Sequence, residues 1–125
     1  MERVTVLVIE KGAEAALVCA ALAKKPEVRV VEAPDVGRAL KRLKTRSAPL
    51  ALAIVGAEGL ADSAQLVKRL QPRGVPIIAV VPGLPIAERE RALAAGVREV
   101  HERPSKWRPY SELIESLVAR FVRPN

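Results

Sequence analysis

The run Leu50-Ala51-Leu52-Ala53-Ile54-Val55-Gly56 carries no polar side chain, and turn-forming residues bracket it, with Pro49 before and Gly59 after. A short apolar run without polar alternation predicts a strand buried on both faces. Such a strand needs helices above and below it. It therefore belongs inside a parallel sheet, because crossover connections put helices on both sides. Groups that bind or react in such sheets lie at the carboxyl ends of the strands. Here that end offers Val55 and Gly56, neither of which has a reactive atom.

The rest of the chain supplies neighbours for this strand. Val4-Thr5-Val6-Leu7-Val8-Ile9 predicts a first buried strand, ending at Glu10-Lys11-Gly12. An Ala- and Leu-rich helix follows from Ala13 to Ala23 and stops at Lys24-Lys25-Pro26. Val28 to Val31 makes a short second strand, and its polar Arg29 places it at or near the sheet edge. Asp35 caps a second helix whose Val36, Ala39, Leu40 and Leu43 face inward. Beyond the central strand, Asp62-Ser63-Ala64-Gln65 has the form of a capping box. Leu66, Val67 and Leu70 give that third helix its apolar face, and Gln71-Pro72-Arg73-Gly74 breaks it. Pro76 to Val81 is the fourth strand. Pro85 opens a fourth helix, which Gly96 ends. Val97 to His101 is the fifth strand, and a linker holding Trp107 and Pro109 leads to a last helix over 110–122. Joined by right-handed crossovers, these elements predict an α/β fold. It is a three-layer α/β/α sandwich with a five-stranded, doubly wound parallel sheet in the order 2-1-3-4-5. Residues 1–125 read as a single domain.

Half of the residues are hydrophobic, but only Trp107, Tyr110 and Phe121 are aromatic, so the core must be Val, Leu, Ile and Ala. No apolar run approaches the roughly 18 to 20 residues that span a bilayer. Glu2 and Arg3 lead straight into a strand, which argues against a signal peptide and for a cytoplasmic protein with no membrane partner. Cys19 is the only cysteine, which excludes an intrachain disulfide and a Cys-rich metal site. It reads as a packed core thiol. His101 is the only histidine, and no acid–nucleophile pair assembles around it. The glycines at 56, 59, 74, 83 and 96 form no phosphate-binding loop and read as turn and cap residues. No metal, cofactor or enzymatic activity is expected.

With its elements placed, the chain resembles a response-regulator receiver domain over residues 3–122. Val6-Leu7-Val8-Ile9-Glu10-Lys11 is similar to that family's apolar first strand ending in two acids. Val75-Pro76-Ile77-Ile78-Ala79-Val80-Val81 is similar to the run before its hydroxyl residue. Ala95-Gly96-Val97-Arg98-Glu99-Val100-His101-Glu102-Arg103-Pro104 resembles its Ala-Gly-Ala to Lys-Pro segment. The spacing from the central strand to Asp62-Ser63 and then to Leu66-Val67-Lys68-Arg69-Leu70 agrees as well.

The resemblance implies a flavodoxin-like fold and a place in two-component signal transduction or a phosphorelay. Receivers are phosphorylated on one Asp. Three acids hold Mg²⁺, and a hydroxyl and a Lys bind the phosphoryl group. Carried over, the first acid falls on Glu10, the second on Lys11 and the phosphoacceptor on Val55. The hydroxyl falls on Val81, the lysine on Arg103 and the aromatic switch residue on Val100. Glu10 keeps its carboxylate, and Arg103 keeps a positive charge in a different shape. One carboxylate beside Lys11 is a poor Mg²⁺ site, since that ion takes several oxygen ligands. Glu58 reads as a solvent-facing loop residue. Aspartyl phosphorylation needs a carboxylate nucleophile, which Val55 is not. The implied protein is a degenerate pseudo-receiver. It acts by phosphorylation-independent contact with a protein partner that the sequence does not name. Glu10 and Arg103 are placed to form an ion pair in the vacated site.

Two surfaces stand out. Leu113, Ile114, Leu117, Val118, Phe121 and Val122 span about half a helical wheel, whereas a core-facing stripe needs only a little over ~100°. Val118 and Val122, at one margin, are therefore expected to stay exposed as a partner surface. Receivers dimerise through the fourth helix, fifth strand and last helix, which implies a homodimer there. The competing reading is a last helix buried whole. On and just past the second helix lie Arg38, Lys41, Arg42, Lys44 and Arg46. They form either a solvated face or the phosphate contacts of a nucleic-acid-binding regulatory module. They include no stacking aromatic and no helix-turn-helix reader, so nucleic acid is the alternative reading.

Overall fold

The computed structural model describes residues 3–44 and 49–122. Strands β1 (Val4–Ile9), β2 (Val28–Ala33), β3 (Leu50–Val55), β4 (Ile77–Val81) and β5 (Glu99–Glu102) form one parallel sheet. Its order is β2-β1-β3-β4-β5, as the sequence implied, with the apolar run at the centre. Side chains alternate between the two faces of each strand. Val6, Val8, Leu52, Ile54, Ile78 and Val80 pack on one face, beneath α1 (Gly12–Leu22) and the last helix. Leu7, Ile9, Ala53, Val55, Ala79 and Val81 pack on the other, beneath three longer helices and a short one.

Those three are α2 (Val36–Leu43), α4 (Ser63–Leu70) and α5 (Ile86–Ala95). The Asp35 carboxylate accepts the Arg38 backbone N–H at 2.8 Å, so the expected cap forms. Gly96, at φ 115°, ends α5 in the left-handed region that favours glycine. β2 lies at the sheet edge and exposes Arg29, as its sequence indicated.

Three local expectations are corrected. A short helix, α3 (Ala57–Ala61), follows β3, so six α-helices rather than five are present among the described residues. The capping box at Asp62 does not form. The chain enters Asp62 directly from α3 at φ −106° and ψ 23°, not in the extended conformation that aims a cap side chain back at the helix. The last helix, α6 (Trp107–Phe121), starts before 110 and takes Trp107 and Pro109 into its first turn. Proline is tolerated there because the missing N–H has no intrahelical acceptor.

α1 and α6 also hold each other. Lys24 reaches the Ser111 hydroxyl at 3.4 Å, and its ammonium lies 5.6 Å from the Trp107 ring centre. Among the described residues no helix is long and apolar enough to cross a membrane.

Candidate functional site

The carboxyl ends of β1, β3, β4 and β5 bring the receiver-like positions together. β1 and β3 run side by side, pairing Ile9 with Val55, and the Gly56 N–H donates to the Ile9 carbonyl at 2.9 Å. Glu10, just past β1, lays its carboxylate over Gly56: a Cβ added there would meet Glu10 Oε2 at 1.8 Å. Glu10 Oε1 accepts the Lys11 backbone N–H at 3.1 Å, while the rest of Lys11 is turned to solvent. Gly56 thus does more than turn the chain. Its missing side chain is what admits the carboxylate.

Val55 is sealed. It is 0 % exposed, and α3 lies across it: a Cβ on Gly59 would come within 2.8 Å of Val55 Cβ and 3.1 Å of Ile9 Cγ2. Val81 and Val100 are buried on the same sheet face. All three are buried, Val55 completely, and none carries a polar side-chain atom.

Arg103 follows β5, its N–H bonded to the Val81 carbonyl at 3.0 Å. The sequence pointed to Glu10 as its ion-pair partner. The structure instead turns its guanidinium to Glu14, in the first turn of α1. Arg103 Nη1 donates to Glu14 Oε2, and Nε is buried without a hydrogen-bond partner among the described residues. The buried Tyr110 of α6 belongs to this cluster. Burial first, and then the charges of Glu10 and Glu14, push its phenol up to about 12, with Arg103 opposing. Sequence reasoning missed Glu14 and Tyr110. The signal for Glu14 was present, since an acid in the first turn after β1 lies beside the strand ends. No comparable signal marks Tyr110.

Elsewhere His101, Glu99, Arg120 and Cys19 are engaged structurally. His101 Nε2 lies 2.7 Å from Glu99 Oε1, and Arg120 also holds Glu99, whose carboxyl is lowered mainly by that contact. Half-buried Cys19 donates to Glu32 Oε2 at 3.4 Å. Burial, followed by the Glu32 contact, raises its thiol to about 12, so it stays protonated near neutral pH. Among the described residues no group of three His, Cys, Asp or Glu side chains is placed to hold a metal ion.

The two surfaces fare differently. The expected exposed margin of α6 is absent: Val118 and Val122 are 4 % and 5 % exposed, and Leu117 is fully buried. Leu113 and Phe121 are only partly covered, and Phe121 packs beneath the Arg98 and Arg120 guanidinium groups. Of the basic set on α2, Arg38 pairs with Asp35 at 3.7 Å, and Arg42 donates to the Glu32 carbonyl. Lys41 and Lys44 are exposed, while Arg46 and the Glu58 side chain lie outside the described residues. A groove of about 790 Å³ opens between α3 and α5, lined by Leu60, Ser63, Leu84, Glu88, Arg91 and Ala92 among others.

The sheet order and layered helices define the fold of response-regulator receiver domains, and solved structures bear this out. The phosphorylated cyanobacterial phytochrome response regulator RcpA superposes with a TM-score of 0.82, at 14 % identity, over 96 % of this chain and 94 % of that one. A response regulator in red-light signalling of R. palustris gives 0.77 at 18 % identity, over 96 % and 94 %. A response regulator from Thermotoga maritima gives 0.72 at 17 % identity, over 94 % and 98 %. At these identities the likeness establishes the fold. No protein-family model matches the sequence, and no curated protein matches it.

Proposed function

We propose that this chain is a receiver-like signalling module that works without aspartyl phosphorylation, by contact with a protein partner in the cytoplasm. It is a pseudo-receiver and not an enzyme. The observation that carries this reading is Val55, with no exposed surface and α3 pressed across it. A phosphoacceptor needs a nucleophilic oxygen open to its donor. This position has neither the atom nor the opening. Arg103 supports the reading, because its guanidinium is committed to Glu14.

Self-association through α5, β5 and α6 is part of the proposal. Its apolar groups are Ile86 and Leu93 of α5, not Val118 and Val122.

The test is a titration with acetyl phosphate, and separately with beryllofluoride, in Mg²⁺, followed by amide NMR. No saturable shift is expected at Val55, Gly56 or Val81. Saturable shifts clustered there would sink the proposal.

A further inference from the structure

α2 and the residue after it carry Arg38, Lys41, Arg42 and Lys44. α4 and the turn after it carry Lys68, Arg69 and Arg73. Neither stretch contains an acid between its caps, and the two helices pack side by side over the same face of the sheet. The chain has 21 Lys and Arg against 14 Asp and Glu. Setting these seven aside leaves fourteen basic and fourteen acidic residues, so the entire +7 excess sits on this pair of helices.

A small groove of about 170 Å³ lies between them. Leu40, Leu43 and Leu70 form its floor, and Lys44, Arg69 and Arg73 its rim. These three cations make no ion pair with any described residue. Basic residues in a last helical turn complement the helix dipole, which accounts for Lys41, Arg42, Lys68 and Arg69 as local stabilisers. It does not account for the convergence of Lys44, Arg69 and Arg73 from two different helix ends around one apolar floor.

We infer that the α2–α4 groove is a docking site for an acidic, amphipathic protein segment. An apolar side chain of the segment enters the leucine floor, and its carboxylates meet the rim. A nucleic acid fits less well. A phosphodiester backbone has nothing to place against three leucines, and binding through single strands draws on aromatic stacking. All three aromatics of this chain lie on α6, beneath the opposite sheet face. The inference names a surface for the protein contact proposed above, and rests on that reading only in taking the partner to be a protein.

The probe is a Glu-rich synthetic helix of about four turns with leucines spaced i, i+4, titrated against the full chain at low salt. Its controls are the same peptide without leucines, at equal charge, and a DNA duplex of about two turns. The leucine peptide is expected to bind at least about tenfold more tightly than the leucine-free one, as burial of apolar side chains requires. Amide shifts should map to Leu40, Leu43, Lys44, Arg69 and Arg73. Arg69→Glu combined with Arg73→Glu changes two exposed residues and should leave the fold intact by circular dichroism, while weakening binding by about tenfold or more. Equal affinity for the two peptides, tighter binding of the duplex, or no binding at low salt would each overturn the inference. Phosphoryl-analogue titration reads the opposite end of the sheet, so the two proposals fail separately.

Discussion

Gly37 and Gly59 are both helical glycines, yet they occupy opposite situations. A Cβ on Gly37 would meet only Asp35 Oδ1, at 3.5 Å, whereas one on Gly59 would strike the branched Cβ of Val55 at 2.8 Å. Gly37→Ala should raise stability by up to about 1 kcal/mol through helix propensity. Gly59→Ala should lower it by about 1–3 kcal/mol through overpacking. Urea denaturation measures both, and an equal effect at the two positions would mean that α3 does not press on Val55. At this scale the sequence was informative about identity and silent about cover. It placed Glu10 and Val55 at adjacent strand ends, but Ala57–Ala61 is too short a helix to leave a periodic pattern.

Among the elements, α6 shows how a correct helical wheel leads to a wrong surface. The wide apolar stripe is real. It is buried because α6 packs against two neighbours, the sheet and α1, and not against one. Val118→Ser should therefore cost at least about 1 kcal/mol, from lost apolar burial and an added hydroxyl in the core. Chemical denaturation decides it: a cost under about 0.5 kcal/mol is what an exposed residue gives. Asp35 and Asp62 make the same point at helix starts. Both have a capping side chain, but only Asp35, at φ −151° and ψ 168°, arrives extended enough to use it.

Across the whole molecule the surface is partitioned. The carboxyl end of the sheet is closed at Val55, and the charge excess lies over α2 and α4. Ile86 and Leu93, seven residues apart on α5, leave large apolar side chains in water, at 74 % and 42 % exposure. Helical spacing puts them on the opposite side of α5 from the groove residues Glu88, Arg91 and Ala95. Two such side chains cover only a small part of the roughly 800 Å² per partner that a stable dimer buries. A weak, concentration-dependent dimer is the expected outcome in sedimentation equilibrium, weakened further by Ile86→Glu with Leu93→Glu. A monomer at every concentration, or a dimer indifferent to the double change, would remove self-association through this face.

The sequence by itself determined where the strands lie and which side chains stand at their ends, through local signals: an apolar run, a break, the identity of the residue at a strand terminus. Their order followed from the crossover rule applied to the alternating elements. Only the tertiary structure decided what those residues touch. Packing across the sheet covered Val55 with Gly59, turned Arg103 to Glu14 and buried Val118 beneath its neighbours. It also set Lys44 beside Arg69 and Arg73 around one groove, although more than twenty residues of chain separate them. Periodicity along a chain reports which face of an element is apolar. Burial depends on how many other elements meet that face, and that number is a property of the assembled fold.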